Sequence, residues 1–164
     1  MLVIADSSPI NVLVRIGCVD VLPALFRQVL IPTEVAEELS HPKTPQEVKD
    51  FIAESPGWLG IRQPEQIEDI PRIDLGERAA ISLVRELNAG LLLIDDLEGR
   101  QAARERLITV IGTIGILERA ARQGMIVLAD VFDRIRRTDF RISDELIEAA
   151  LERDARRRED KRPD

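Results

Sequence analysis

Apolar residues along this chain fall into two patterns, short unbroken runs and recurrences every three to four positions, and the two patterns take turns. Leu2 to Ala5 is an apolar run that ends on Asp6; Ser7-Ser8-Pro9 follow, and Ile10, Val12, Leu13 and Ile16 then recur at helical spacing up to Gly17. A second short helix is predicted over Val19 to Phe26, a strand over Gln28 to Ile31, and from Thr33 an acidic amphipathic helix that carries Val35 and Leu39 and ends near Ser40. His41 to Pro45 is a break. Gln46 to Glu54 resumes as helix with Val48, Phe51 and Ile52 on one face, Trp58 to Ile61 reads as an edge strand, and Gln63 to Arg72 reads as loop.

The stretch Ile73 to Arg100 carries the strongest pattern. Asp74 suits the N-cap of a helix whose apolar positions are Ala79, Ala80, Leu83, Val84 and Leu87, and Asn88-Ala89-Gly90 stops it. Leu91 to Ile94 is then a continuous apolar run of the kind a strand covered on both faces needs, ended by Asp95 and Asp96. A charged helix follows over Leu97 to Arg106, a further strand over residues 107–111, and helices over Gly115 to Arg122, Leu128 to Arg137 and Ser143 to Arg158. Strands that alternate with helices predict an α/β fold, with a small parallel sheet of about four to five strands flanked by helices. At 164 residues the chain is sized for one domain, residues 1–155, with 156–164 as a charged, flexible tail.

Composition narrows the function classes. No apolar stretch approaches the roughly 20 residues of a membrane span, and Met1 to Asp6 lacks the basic start and the length of a signal peptide. A cytoplasmic protein with no membrane partner is expected. One cysteine, Cys18, and one histidine, His41, leave no stock of soft ligands for zinc, so a metal here must be held mainly by oxygen. The formal charge of −7 lies in residues 1–130, where 13 basic residues face 20 acidic ones, and it argues against a broad basic nucleic-acid surface. No tyrosine and a single tryptophan, Trp58, argue against a base-stacking platform.

The acidic residues stand at strand ends and helix starts: Asp6; Asp74 and Glu77; Asp95 and Asp96; and Glu38 on the third helix. In an open α/β sheet ligands bind outside the carboxyl ends of the strands, which is where an Asp ending the first strand and an Asp pair ending a later one would meet. Taken singly, Asp74 is best read as a cap and Glu34, Glu37 and Glu38 as a solvated face. Taken together, such acids suit a hard cation, Mg²⁺ or Mn²⁺. Ser7 suits capping of the first helix, with a hydrogen bond to a ligand carboxylate or phosphate as the other reading. Arg100 and Arg104, four residues apart, suit either ion pairs with Glu98 and Glu105 or contact with a phosphate.

VIADSSPI, IPTEVAEEL, LGERAAISLV, LLLIDDLEGRQAA and VIGTIGIL together resemble the PIN-domain nucleases, in particular VapC-type toxins and an uncharacterised PIN-like subgroup. The resemblance covers residues 1–125, and FRISDELIEAAL near the end is similar to the same subgroup. It implies metal-dependent hydrolysis of RNA by a cluster of three or four acids. By position, Asp6, Glu38, Glu77 and Asp96 would be the catalytic acids and metal ligands, with Asp95 as neighbour or substitute for Asp96, and Ser7, Arg100 and Thr113 as candidate substrate contacts. Glu77 departs from the pattern, since many relatives carry Asp there. The resemblance further implies a small antitoxin protein as partner and a homodimer. A PIN-like module that binds without cleaving is the alternative, and a receiver-like protein using Asp95 as phosphate acceptor lacks a suitably placed Lys.

Overall fold

The computed structural model describes residues 1–163 and comprises two compact units, Met1–Thr113 and the chain from Ile114 onward. The first unit runs β1 (Val3–Ala5), α1 (Ser7–Arg15), α2 (Val21–Phe26), β2 (Val29–Pro32), α3 (Thr33–Leu39), α4 (Gln46–Glu54), β3 (Leu59–Arg62), α5 (Leu75–Leu87), β4 (Leu91–Leu93), α6 (Leu97–Glu105) and β5 (Val110–Ile111). The second holds α7 (Thr113–Arg122) beyond its first residue, α8 (Leu128–Arg136) and α9 (Asp144–Asp160).

The five strands form one all-parallel sheet in the order β3-β2-β1-β4-β5. Val3, Ile4 and Ala5 have no exposed surface, and Leu91 to Ile94 almost none, which is why these two apolar runs take the middle of the sheet where both faces are covered. Val3 pairs with Val29 on one side and with Leu91 on the other. From β1 the chain steps outward to β2 and β3, then returns to place β4 on the far side of β1. Strand order therefore reverses between β1 and β4, and a crevice opens at their carboxyl ends. The Asp6 amide donates to the Leu93 carbonyl at 2.9 Å, so the pairing runs one residue past β1 and brings the two acid-bearing strand ends level.

α5 is the longest helix of the first unit and packs its apolar side into the core. Ala80, Ile81, Leu83 and Val84 join Ile4, Leu92, Ile94, Ala102 and Ala103 in one buried cluster. A fully buried leucine such as Leu83 contributes roughly 1.5–3 kcal/mol. As the sequence predicts, Asp74 caps this helix, its Oδ1 accepting the Glu77 amide at 2.8 Å, and Asn88 ends it in the left-handed region with φ of 51°. The loop before it is tied down by Glu68, which accepts from Arg106 Nε and Nη2 and from Arg85 Nη1 at 2.8–3.1 Å.

Several boundaries differ from the pattern-based expectation. The strand expected over 107–111 contracts to two residues because Leu107 turns into the left-handed region, φ 61°, and stands 95% exposed. The next helix begins at Thr113 rather than Gly115, since the Asp95 carboxylate accepts the Thr113 amide. In the second unit Leu128, Val131, Phe132 and Ile135 form the buried stripe of α8, and Arg153 of α9 reaches both carboxylate oxygens of Glu118 at 2.7 and 3.2 Å. α9 continues to Asp160, through the first residues assigned to the charged tail. No helix among the described residues is long and apolar enough to cross a membrane.

Candidate active site

Asp6 is the innermost acid. It is 4% exposed, its carboxylate takes a hydrogen bond from the Ser7 backbone, and its Oδ1 atom is buried with no partner. Burial first, then the charges of Asp74, Glu38 and Asp95, push its pKa up to about 7 despite the Ser7 amide. A buried, unpaired carboxylate oxygen is costly in an apolar surrounding and calls for a proton or a cation.

Glu38, on α3, reaches the same crevice. Its Oε1 accepts the Ser7 hydroxyl at 3.1 Å, and burial together with Asp74 raises its pKa. The backbone of α5 closes on both acids at Gly76: a side chain begun there would lie 2.9 Å from Glu38 Oε2 and 3.7 Å from Asp6 Oδ1. Glycine is what allows the helix to come so near. Glu77, the next residue, is 8% exposed, and burial followed by Asp74, Asp6 and Asp96 raises its pKa to about 8. Its carboxyl group faces the start of α6, where a side chain on Gly99 would stand 3.4 Å from Glu77 Oε2.

The two neighbouring aspartates have different jobs. Asp95 is held by three donors: Ser8 Oγ at 2.9 Å and Thr113 Oγ1 at 2.8 Å on Oδ2, and the Thr113 amide at 2.7 Å on Oδ1. It braces the end of β4 against α1 and the first residue of α7. Asp96 is exposed and commits one oxygen, Oδ2, to cap α6 through the Gly99 amide at 2.8 Å. Thr113 is fully buried with its amide and hydroxyl both on Asp95, so it supports the site from behind.

The five acids expected as ligands thus gather at the crevice, and the structure adds Asp74, expected only as a cap, as a sixth. Asp74 is a helix cap, as expected, yet its charge also bears on Asp6, Glu38 and Glu77. Its place three residues before Glu77 at a helix mouth was the available signal. Ser7 does not cap α1; its hydroxyl goes to Glu38 instead. Arg100, half-buried on α6, points its Nη1 towards Gly112 beside Asp95. Trp58 packs on Phe51 with ring centroids 5.9 Å apart, leaving the crevice without an aromatic surface from it. A surface cavity of about 370 Å³ lined by Glu65, Glu68, Ser82, Arg85 and Glu86 includes none of the six acids.

Among the described residues no three acid, histidine or cysteine side chains converge as a ready-made ligand set. Loading an ion therefore requires rotation, for which exposed Glu38 and Asp96 have room. The donor set nevertheless fits a hard divalent cation: only carboxylates, mutually repelling, one with a buried oxygen that lacks a partner.

A small parallel α/β unit here crowds its carboxylates at the strand-order reversal, where a ligand is expected to bind. The family model described as a PIN domain matches residues 2–156, and the chain belongs to the PIN-domain family, whose members are generally nucleases and typically use divalent metal ions. Among solved structures the fold is similar to a PilT N-terminus domain protein from the hyperthermophilic archaeon Sulfolobus solfataricus P2. That match has a TM-score of 0.55 at 15% identity and covers 73% of this chain and 93% of that one. No curated protein matches the chain significantly.

Proposed function

We propose that this chain is a Mg²⁺- or Mn²⁺-dependent endoribonuclease that hydrolyses RNA phosphodiester bonds as the toxin of a type II toxin–antitoxin pair. The observation that carries the reading is the partnerless, buried Oδ1 of Asp6 at the β1/β4 reversal, where the charges of Asp74, Glu38 and Asp95 bear on Asp6 and Glu77 lies within reach of both Asp6 and Asp96. Asp6 and Asp96 would hold the cation, with Glu38 and Glu77 binding directly or through water. When bound, the ion supplies activation of a water and neutralises charge on the phosphate. Ser7 orients Glu38, and Asp95, fixed by Ser8 and Thr113, orders the strand end that carries Asp96. Burial and the charges of Asp74, Asp6 and Asp96 favour the protonated form of Glu77 in the ion-free protein, which lessens repulsion within the cluster.

Residues 1–155 acting as one domain, a homodimer, a small antitoxin partner and a cytoplasmic location belong to the same proposal. The family match across both units supports the first of these. The second reading, a PIN-like module that binds without cleaving, is favoured by the lack of a preformed ligand set and by the −7 charge. Calorimetry with Mn²⁺ and cleavage of a mixed RNA pool, on wild type, Asp6→Asn, Asp96→Asn and the double variant, separate the two. Cation binding and cleavage in wild type, both lost in the variants, is the expected result. Absence of binding at millimolar Mn²⁺, or full cleavage by the double variant, would sink the nuclease reading.

A further inference from the structure

We propose that Arg100 anchors the RNA strand by gripping a backbone phosphate beside the carboxylate cluster, and that the missing side chain of Gly112 makes room for its guanidinium. The inference rests on the nuclease reading and says how the polyanion is held. An acidic unit must still attract RNA, and RNA affinity depends on cations that meet phosphates.

Asp96 caps α6, and Arg100 lies four residues further on, on the same face of the helix. A solvated arginine there would pair with Glu98 or reach along the helix to a neighbouring acid. Arg100 instead folds inward. A side chain begun at Gly112 would lie 2.6 Å from Arg100 Nη1, 3.0 Å from Asp95 Oδ1 and 3.5 Å from the Ile94 carbonyl, so the guanidinium rests over bare backbone at the end of β5. Any larger residue at 112 would displace it.

Asp95 lies close to Arg100 and attracts it without bonding it. Both oxygens of that carboxylate already accept from Ser8 and Thr113, and no ion pair within 4.0 Å joins Arg100 to a described acid. Burial and the nearby Arg104 disfavour the charge while Asp95 favours it. A half-buried, planar fork of donors with vacant positions, set beside Gly112 at the end of β5, is suited to an oxyanion and above all to two oxygens of one phosphate. Lys at this position would keep the charge and lose the fork.

The test is steady-state cleavage of a short single-stranded RNA in Mn²⁺ by wild type, Arg100→Ala, Arg100→Lys and Gly112→Ala at several salt concentrations, with Mn²⁺ calorimetry on each. Arg100→Ala is expected to raise KM about tenfold with little change in kcat, the loss of a charge-assisted contact. It should also flatten the dependence of log KM on log salt by about 0.7, the share of one phosphate on a single strand. Arg100→Lys should recover the salt slope but only part of the KM. Gly112→Ala, which keeps the charge and moves the fork, should raise KM severalfold. Mn²⁺ affinity should be unchanged in both Arg100 variants. Wild-type KM and salt slope in Arg100→Ala overturn the proposal while leaving the nuclease reading intact if Asp6→Asn is dead. A wild-type KM in Gly112→Ala overturns the role given to the glycine, and if Arg100→Ala misfolds, Arg100→Lys and Gly112→Ala decide the matter.

Discussion

Raising the pH on the cation-free protein should destabilise it, and Asp6 sets the amount. Its folded pKa of about 7 lies above the ordinary 3.8, so the folded state binds this proton more tightly than the unfolded chain does. The stabilisation is therefore complete below about 3.8 and is lost as pH rises through about 7. Between pH 5.5 and 8.5 the folded carboxyl releases its proton while the unfolded one is already ionised. About one and a half pH units of that interval lie below the folded pKa, which corresponds to roughly 2 kcal/mol. Glu77, raised for the same reasons, acts in the same direction. For a chain of this size 2 kcal/mol corresponds to about 4–8 °C in Tm. Asp6→Asn removes the ionisation, so in EDTA the variant should gain about 2 kcal/mol on wild type over that pH interval. Adding Mn²⁺ at a hundredfold excess over its Kd should restore roughly 2.7 kcal/mol to wild type and nothing to the variant. Urea denaturation at the two pH values, with EDTA and with Mn²⁺, measures all four quantities. Equal pH slopes for wild type and Asp6→Asn, or equal stabilisation of both by the ion, would refute the assignment of the buried carboxylate as the centre of a cation site.

Three further outcomes follow from the geometry. Gly76→Ala places a methyl 2.9 Å from Glu38 Oε2 and should weaken Mn²⁺ affinity about 10–100-fold without unfolding the protein; calorimetry that finds unchanged affinity would show that Glu38 plays no part in binding. Thr113→Val removes the hydroxyl that donates to Asp95 at 2.8 Å and should cost about 1–3 kcal/mol in urea denaturation, whereas an unaltered midpoint would mean that Asp95 needs no bracing. Asp74→Asn keeps an acceptor for the α5 cap but deletes a charge that bears on Asp6, Glu38 and Glu77, so carboxyl titrations followed by NMR should move to lower pH for all three; a shift confined to position 74 would disprove the coupling.

The elements that local chemistry controls were legible along the chain. Apolar runs at Leu2 to Ala5 and Leu91 to Ile94, bounded by polar residues, suit buried strands, and Asp74 and Asn88 bound their helix by hydrogen bonding and backbone preference within a few residues. The parallel α/β class followed from their alternation, and with it the expectation that acids at strand ends share one edge. What depends on partners distant in sequence was not legible. Leu107 reads as strand by composition, yet tight closure between α6 and β5 turns it out into solvent. Asp95 and Asp96 are chemically identical neighbours, and only Ser8 and Thr113, 87 and 18 residues away, make one a brace and leave the other open to the crevice. Ser7 looked like a cap until α3 brought Glu38 within 3.1 Å, and Asp74 looked like a cap alone until packing set it beside Asp6, 68 positions earlier in the chain. The sequence alone determined which residue types could bind a hard cation and roughly where each would stand. Which carboxylate is buried, paired or repelled was decided by the close approach of α3, α5 and α6 to the β1/β4 edge, because desolvation and Coulomb repulsion depend on distances that only the folded chain sets.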